Sequence, residues 1–481
     1  MLQTEAKLLE GIMKNFNSLK IKPEILEAIK LYGFEDPTDI QREAIPFLLK
    51  DKKDFFGQAQ TGTGKTAAFA IPLLNEIDED HCIVQSIILA PTRELAIQVE
   101  GEIKRFSKFT RIQSFCVYGG VEYEPQLRGI KKVKPQIIVG TPGRVIDLIK
   151  KSIISLKDAK TFVLDEADEM LKMGFYEDVI DLLALFTEKP RMIMFSATMP
   201  NSINTLIQKI FSSPRIISIK EKTTSSELID QSFYLVREKH LKEALARLID
   251  FQDESYSIVF CRTKLETKVV SDDLKKRGHR VELLNGDMGQ ADRDLSMRNF
   301  KSKRSKILVC TDVAARGIDI DNITHVFNYG MPRDNESYIH RIGRTGRAGT
   351  SGNAMLLVPH SMLRKVVELE KYTGSRIIKK ELPSIPNLID KLVAREVENA
   401  KLIKQAITTK TESFNIDPSF KRLEKEFIDL SRDELMKLMF VWKFNKDIRH
   451  YNNLENIEKE SLKKSKAPKN KKGQNVRNRK S

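Results

Sequence analysis

Ala59-Gln60-Thr61-Gly62-Thr63-Gly64-Lys65-Thr66 lies between a short apolar segment, Phe55-Phe56, and a run of good helix formers, Ala67–Ala70. A strand, a glycine-containing loop closed by Lys-Thr, and a helix together form the setting of a phosphate-binding loop. Small residues let the backbone N–H groups wrap a phosphate, and the following helix presents its positive end. In that geometry Lys65 reaches the β- and γ-phosphates and the Thr66 hydroxyl binds Mg²⁺. Ala59 stands where the motif usually has its first glycine. Such a loop needs an acidic partner at the end of a neighbouring strand. The apolar run Phe162–Leu164 leads directly into Asp165-Glu166-Ala167-Asp168. Beside Mg²⁺, Asp165 suits holding the metal through water, and Glu166 suits positioning and deprotonating an attacking water. Without Lys65 upstream, the same acids would read equally well as a helix start.

Around this pair the chain alternates. Ser86–Ala90, Ile137–Val139, Phe162–Leu164, Met192–Phe195 and Ile216–Ile219 are short and rich in Ile, Val, Leu or Phe, as strands buried on both faces of a parallel sheet are. Helical spacing over Glu94–Lys108 and Glu177–Phe186 fills intervals between them, which argues for an α/β domain. The polar stretch Lys220–Glu227 reads as a linker. A second series follows at Ser232–Val236, Ser257–Phe260, Val281–Leu284, Ile307–Cys310, His325–Asn328 and Ala354–Val358. Two α/β domains in tandem are therefore expected, over residues 1–219 and 229–375 with a linker at 220–228, in preference to one large doubly wound sheet. The strand pattern stops near residue 375. Residues 376–460 are expected to form a helical extension, with a charged helix at Asp390–Lys404 and a capping box at Ser431-x-x-Glu434. The latter precedes Leu435, Leu438, Met439 and Trp442 on one face, expected to be local core.

The net charge is +16, which favours polyanionic partners. Nine of the Lys/Arg residues, with no acid among them, fall in Ser461–Ser481, expected to be a disordered basic tail. That tail reads either as a tether for a polyanion or as a solubilising end. No apolar run approaches the length of a membrane span and no charged-then-apolar leader opens the chain, so a soluble, cytoplasmic protein without a membrane partner is expected. Cys82, Cys116, Cys261 and Cys310 are widely spaced and form no Cys-x-x-Cys pair, so they read as small core residues of a reduced compartment.

From about Phe16 to Gly349 the chain resembles the DEAD-box RNA helicases. The resemblance rests on many separate motifs in order. It implies two RecA-like domains with mainly parallel sheets that close on ATP and RNA. Within residues 14–42, Gly33–Gln41 resembles the adenine-sensing motif. This implies that Gln41 hydrogen-bonds the adenine edge and that Phe16 stacks near it; Asp39 replaces the commoner proline. Ala59–Thr66 becomes the ATP-phosphate loop. Pro91-Thr92-Arg93, Gly119-Gly120 and Thr141-Pro142-Gly143-Arg144 match RNA-contacting motifs of the first domain. Arg262, within Val259–Thr263, matches a phosphate contact in the second, and Gln290-x-x-Arg293 also matches. Cys310–Asp319 matches the segment serving both ligands, which places Thr311 and Gly317 toward RNA and Asp319 toward the ribose. His340–Arg347 matches the arginine-finger motif, with Arg344 and Arg347 toward the γ-phosphoryl group. Asp168, Ser196, Thr198 and His340 are implied to couple the ATP site to the domain interface.

Catalysis would then need both halves, with Lys65, Thr66, Asp165 and Glu166 from one domain and Arg344 and Arg347 from the other. The expected activity is RNA-stimulated ATP hydrolysis coupled to local unwinding of short duplexes or remodelling of RNA–protein complexes. RNA recognition is expected through the phosphate backbone, without choice of sequence. An RNA clamp without productive unwinding and a DNA translocase are the rival readings. Ribosomal precursors or the RNA-decay machinery are the expected partners, with ribosome biogenesis, RNA decay and a cold response as candidate roles. The chain is expected to be a monomer or a weak dimer through its extension.

Overall fold

The structure is a computed structural model; it describes residues 15–60, 62–219, 228–252, 255–315, 320, 323–346, 350–408 and 419–452. The first domain contains strands β1 (Phe55–Gln58), β2 (Ser86–Leu89), β3 (Ser114–Val117), β4 (Ile137–Gly140), β5 (Thr161–Leu164), β6 (Arg191–Ser196) and β7 (Arg215–Ser218). They form one sheet in the order β3-β4-β2-β5-β6-β1-β7. The second domain contains β8 (Ile229–Val236), β9 (Ser257–Cys261), β10 (Val281–Leu284), β11 (Ile307–Thr311), β12 (His325–Asn328), β13 (Gly352–Pro359) and β14 (Ile378–Lys380). Their order is β10-β11-β9-β12-β13-β8-β14. Every strand pairing in both sheets is parallel. Parallel neighbours require crossovers, and these supply helices to both faces of each sheet. No strand is shared between the sheets, which excludes a single large one.

Most of the continuous apolar runs are buried as expected, but the run Ile216–Ile219 is not: β7 is an edge strand, paired on one side only, and Ile216 is 47% exposed. β2, β4 and β5 are buried along their whole length. Separate apolar clusters line the two faces of each sheet. Within one of them the rings of Phe55, Phe69 and Phe195 pack at centroid distances of 5.5–5.6 Å. Gly57 lies against this cluster, and a Cβ there would meet the Phe195 ring at 2.6 Å, so only glycine lets β1 approach.

Three sequence expectations need correction. The strand pattern continues past residue 375, because Ile378–Lys380 pairs with β8 at the sheet edge. Cys82 is exposed and Cys116 half-buried; only Cys261 and Cys310 are core residues. The face bearing Leu435, Leu438, Met439 and Trp442 is not local core, and Trp442 is 75% exposed. The capping box is present, with Ser431 and Glu434 bonding reciprocally at the start of the helix Arg432–Asn452. Phe444 and Tyr451, in the last turns of that helix, are buried, whereas its earlier turns are exposed.

The docked end is held by one carboxylate. Tyr451 Oη donates to Asp250 Oδ2 at 2.6 Å, and His279 Nε2 lies 2.9 Å from Asp250 Oδ1. Burial pushes the Asp250 carboxyl up, but the bonds from His279 and Tyr451 outweigh it and hold the group below its ordinary value of 3.8. A depressed carboxylate stabilises the fold above its unfolded pKa and ceases to as pH falls through its folded value. The last turns of this helix should therefore stay docked at neutral pH and loosen below about pH 3.8, the unfolded value. Tyr451→Phe should speed amide exchange there by about tenfold at neutral pH, since hydrogen bonds to charged groups contribute about 1.5 kcal/mol or more. Unchanged exchange would contradict the docking role.

Candidate active site and nucleic-acid interface

Both sheets place their functional loops beyond the carboxyl ends of their strands, where ligands of open α/β sheets bind. The loop after β1 turns through Gly62 at φ +84° and Gly64 at φ +83°, the left-handed region that glycine adopts without strain. The preceding helix Asp39–Lys50 clamps it. Thr38 Oγ1 donates to Thr63 O at 2.7 Å, and Gln41 Nε2 donates to Gly64 O at 3.1 Å. Thr63 Oγ1 in turn donates to Gln60 O at 2.8 Å. At the loop's end Lys65 is buried, and its Nζ has no hydrogen-bond partner among the described residues. A buried ammonium without a partner is costly, and a phosphate would satisfy it. The residues present therefore fit a nucleotide phosphate.

The acidic cluster follows β5. Glu166 has φ +51°, a sparsely populated conformation for a non-glycine residue at the turn from strand to helix. Asp165 is 2% exposed and accepts from the Glu166 amide at 3.0 Å. Burial raises both the Asp165 and the Glu166 carboxyl, against the pull of the nearby Lys65 charge. Asp168 behaves differently. Burial raises it, but hydrogen bonds from Thr198 and the charges of Lys65 and His340 outweigh that and lower its pKa. Asp168 Oδ2 accepts from Thr198 N at 2.9 Å and Thr198 Oγ1 at 2.7 Å, while Ser196 Oγ donates to Thr198 O at 2.6 Å. The end of β6 is thus tied to the acids after β5. Thr66 lies in the first turn of the helix Lys65–Glu76 and Asp165 directly follows β5, a hydroxyl and a carboxylate whose donor chemistry suits Mg²⁺.

A cleft lies between the domains. Glu166, Asp168 and Ala197 line it from the first, and Asp312, His340 and Arg344 from the second. Arg344 lies near enough to Glu166 to pull its pKa down against burial. Burial holds the His340 imidazole below its usual range, against the attraction of Glu169 and Asp168. Its Nδ1 lies 3.7 Å from Glu169 Oε1 across the cleft. Behind Arg344, the fully buried Arg341 donates to Asp312 Oδ2 at 2.7 Å and to Asn328 Oδ1 at 3.1 Å.

The motifs expected at RNA form a second constellation. Pro91 and Thr92 are buried, and Thr92 Oγ1 caps the helix Arg93–Phe106 by accepting from Leu95 N at 3.2 Å. Gly119 and Gly120 are exposed, the latter at φ +77°. Thr141 precedes the helix Pro142–Lys150, and Gly143 and Arg144 lie in its first turn. Arg262 is partly exposed at the start of the second domain's helix Lys264–Lys276 and sits 3.5 Å from Glu266. Thr61, Gly317, Asp319 and Arg347 lie outside the described residues.

Three other expected residues have defined surroundings. Phe16 is 3% exposed and belongs to the apolar cluster that also holds Ile21 and Ile25. Gln41 does not present a free amide: Oε1 accepts from Thr38 N at 3.0 Å as part of a capping box, and Nε2 holds Gly64. One N–H and one lone pair of that amide are left beyond these bonds. Thr311 is buried, with its hydroxyl turned to the amide of Ala314 at 3.4 Å. Sequence reasoning also missed the ionic contacts across the domains. Arg93 meets Asp294 at 3.3 Å, Glu94 meets Arg293 at 2.8 Å, and Lys172 meets Glu336 at 2.6 Å. The motif residue Arg293 was a signal for the second of these; nothing local marks Lys172.

Residues 38–206 match the DEAD/DEAH box helicase family, and residues 240–349 match the helicase conserved C-terminal domain. A protein of Bacillus cereus described as DEAD-box ATP-dependent RNA helicase CshA is 43% identical over 390 residues, 80% of this chain and 74% of that protein. The ATP-dependent RNA helicase CshA of Listeria monocytogenes is 46% identical over 75% of this chain and 69% of its own. The solved structure of S. cerevisiae Dbp5 bound to RNA and ADP BeF3 superposes with a TM-score of 0.70 at 32% identity, covering 80% of this chain and 98% of that one. One matched segment falls on each sheet, and together they hold the residues lining the shared cleft, so the chain belongs to the DEAD/DEAH box helicase family.

Proposed function

We propose that this chain is an ATP-dependent RNA helicase that separates short duplexes or remodels RNA–protein complexes, driven by RNA-stimulated ATP hydrolysis. The observation that carries the reading is the cleft in which Glu166 and Asp168 of one domain face His340 and Arg344 of the other. Lys65 holds the β- and γ-phosphates. Glu166 orients a water and takes its proton as the water oxygen bonds to the γ-phosphorus and the bond to the ADP oxygen breaks. Arg344 and Arg347 neutralise the oxygens of the group in transfer. Mg²⁺ held by Thr66 and Asp165 would neutralise charge on the phosphates. Asp168, Thr198, Ser196 and His340 link this chemistry to the second domain. Pro91–Arg93, Gly119-Gly120, Thr141–Arg144 and Arg262 grip the phosphate backbone of one strand. RNA and ATP both favour the closed pair of domains, so each strengthens binding of the other. A duplex assay tests this: ATP should release a strand from a short RNA duplex, and a loading strand of DNA should serve poorly because it lacks the 2′-hydroxyls. Equal release with DNA would contradict the assignment of the polymer.

Finer features complete the reading. Among the described residues no helix is long and apolar enough to cross a membrane. A cytoplasmic site of action on ribosomal precursors or decaying RNA, including at low temperature, is part of the same proposal. The basic tail, outside the described residues, is assigned as a sequence-blind RNA tether. If four or five of its charges neutralise phosphates, deleting Ser461–Ser481 flattens the salt slope by about 3, roughly 60-fold in affinity between 50 and 200 mM salt. RNA-saturated kcat should hardly change, and a large fall in it would contradict the tether role. The exposed face through Leu435, Met439 and Trp442 supports a weak dimer of the extension. Light scattering should show mass rising with concentration in the wild type but not in Trp442→Asp; a monomer throughout would contradict this.

A further inference from the structure

Five residues, Tyr118-Gly119-Gly120-Val121-Glu122, join β3 to the helix Tyr123–Val133, whose first residue is a second tyrosine. The two glycines sit at the exposed turn, and a tyrosine flanks them on each side. Each tyrosine carries an arginine from a different part of the domain. The Arg93 guanidinium lies 4.4 Å from the Tyr118 ring centroid, and the Arg144 guanidinium lies 5.1 Å from that of Tyr123. Lys151 shares the Tyr123 ring at 4.3 Å. The segment itself is pinned, because Gln126 Nε2 donates to Tyr118 O at 3.0 Å and Arg144 Nη2 donates to Val121 O at 3.1 Å.

The unused nitrogens point to a ligand. Arg93 Nη1 and Arg144 Nη1 are both buried without a hydrogen-bond partner among the described residues. The other end of each guanidinium is engaged, Arg93 Nη2 with Asp294 and Arg144 Nη2 with Val121. Each arginine is thus stacked on one face and anchored on one edge, with one N–H donor group in reserve. That is how a guanidinium is pre-oriented for a phosphate oxygen, because the entropy of ordering a long side chain is lost before RNA arrives.

We propose that Tyr118 and Tyr123 are positioning residues that bracket the Gly–Gly turn and hold Arg93 and Arg144 for successive phosphates of an RNA strand. The bracket rests on the RNA-interface reading given above and adds to it two residues outside its motifs. The tyrosines act through their rings, on the arginines and not on the RNA.

The test measures RNA KM and RNA-saturated kcat for the full chain, with Tyr118 and Tyr123 each replaced by Phe and by Leu, and with Arg93→Ala and Arg144→Ala alongside. Phe keeps the π face; Leu keeps apolar bulk and removes it. Each Leu variant should raise RNA KM by about threefold to tenfold, the range of a partly desolvated cation–π contact, while kcat at saturating RNA stays within about twofold. Each Phe variant should match the wild type. Adding Tyr123→Leu to Arg144→Ala should raise KM no further, because the ring has lost the group it positions. If the arginine variants weaken RNA binding but the Leu variants do not, the bracket is overturned and the interface stands. It is equally overturned if Phe and Leu lose affinity alike, or if the double variant is additive. Wild-type RNA binding by both arginine variants would overturn the interface and the bracket together.

Discussion

Glu166→Gln is expected to lower RNA-stimulated ATP turnover by about 10²–10⁴-fold, the usual contribution of a positioned general base. Gln keeps the size and the left-handed backbone position of Glu166, at φ +51°, and removes only the basic oxygen. Lys65 remains buried opposite Asp165, so the charge that holds phosphate is untouched. ATP and RNA should therefore still bind, and bind cooperatively. The variant should accumulate as a closed complex on RNA when ATP is present, because the step that reopens it is blocked. Filter binding of labelled RNA with ATP distinguishes this from misfolding. Retained turnover would remove Glu166 from the chemistry, and loss of RNA binding would place it in the fold instead.

Arg344→Ala is expected to cost more, about 10³–10⁵-fold in kcat, as for arginine fingers in other nucleotide hydrolases. Its position explains the size of the effect. Arg344 follows the helix Asn335–Ile342 and reaches Glu166 from the opposite domain. The buried Arg341–Asp312 pair fixes the end of that helix, so the finger is carried on a rigid base. Because Arg344 completes the site only across the cleft, its loss should uncouple RNA binding from hydrolysis and leave ATP affinity of the first domain nearly intact. Arg344→Lys should recover little, since an ammonium lacks the planar fork. A mild phenotype would mean that the domains do not close as the cleft indicates.

Much of this was legible in the sequence because the information is local. A loop between a buried strand and a helix, and acids at the end of a neighbouring strand, need no long-range knowledge. The strands buried on both faces were readable for the same reason. β3 was not, because its middle residues are half-buried at the sheet edge. β14 is three exposed residues whose strand character comes only from pairing with β8. Gln41 was assigned to adenine from the motif alone; that its amide also closes a capping box and holds Gly64 depends on how the helix meets the loop, which spacing does not record. The Ser431–Glu434 cap was readable, whereas exposure of Leu435 through Trp442 was not, since amphipathic spacing does not say whether a partner lies opposite. Cross-domain pairs such as Lys172 with Glu336 depend on how two separately folded units meet, which no local pattern records.

The central claim is that one ATPase site is assembled across two domains that RNA draws together. Steady-state ATP hydrolysis with and without single-stranded RNA, with DNA of the same sequence and the Glu166→Gln variant beside it, tests that most directly. The account predicts slow turnover without nucleic acid, a large rise with RNA, little with DNA, and no rise in the variant. Turnover indifferent to RNA, or raised equally by DNA, would contradict it.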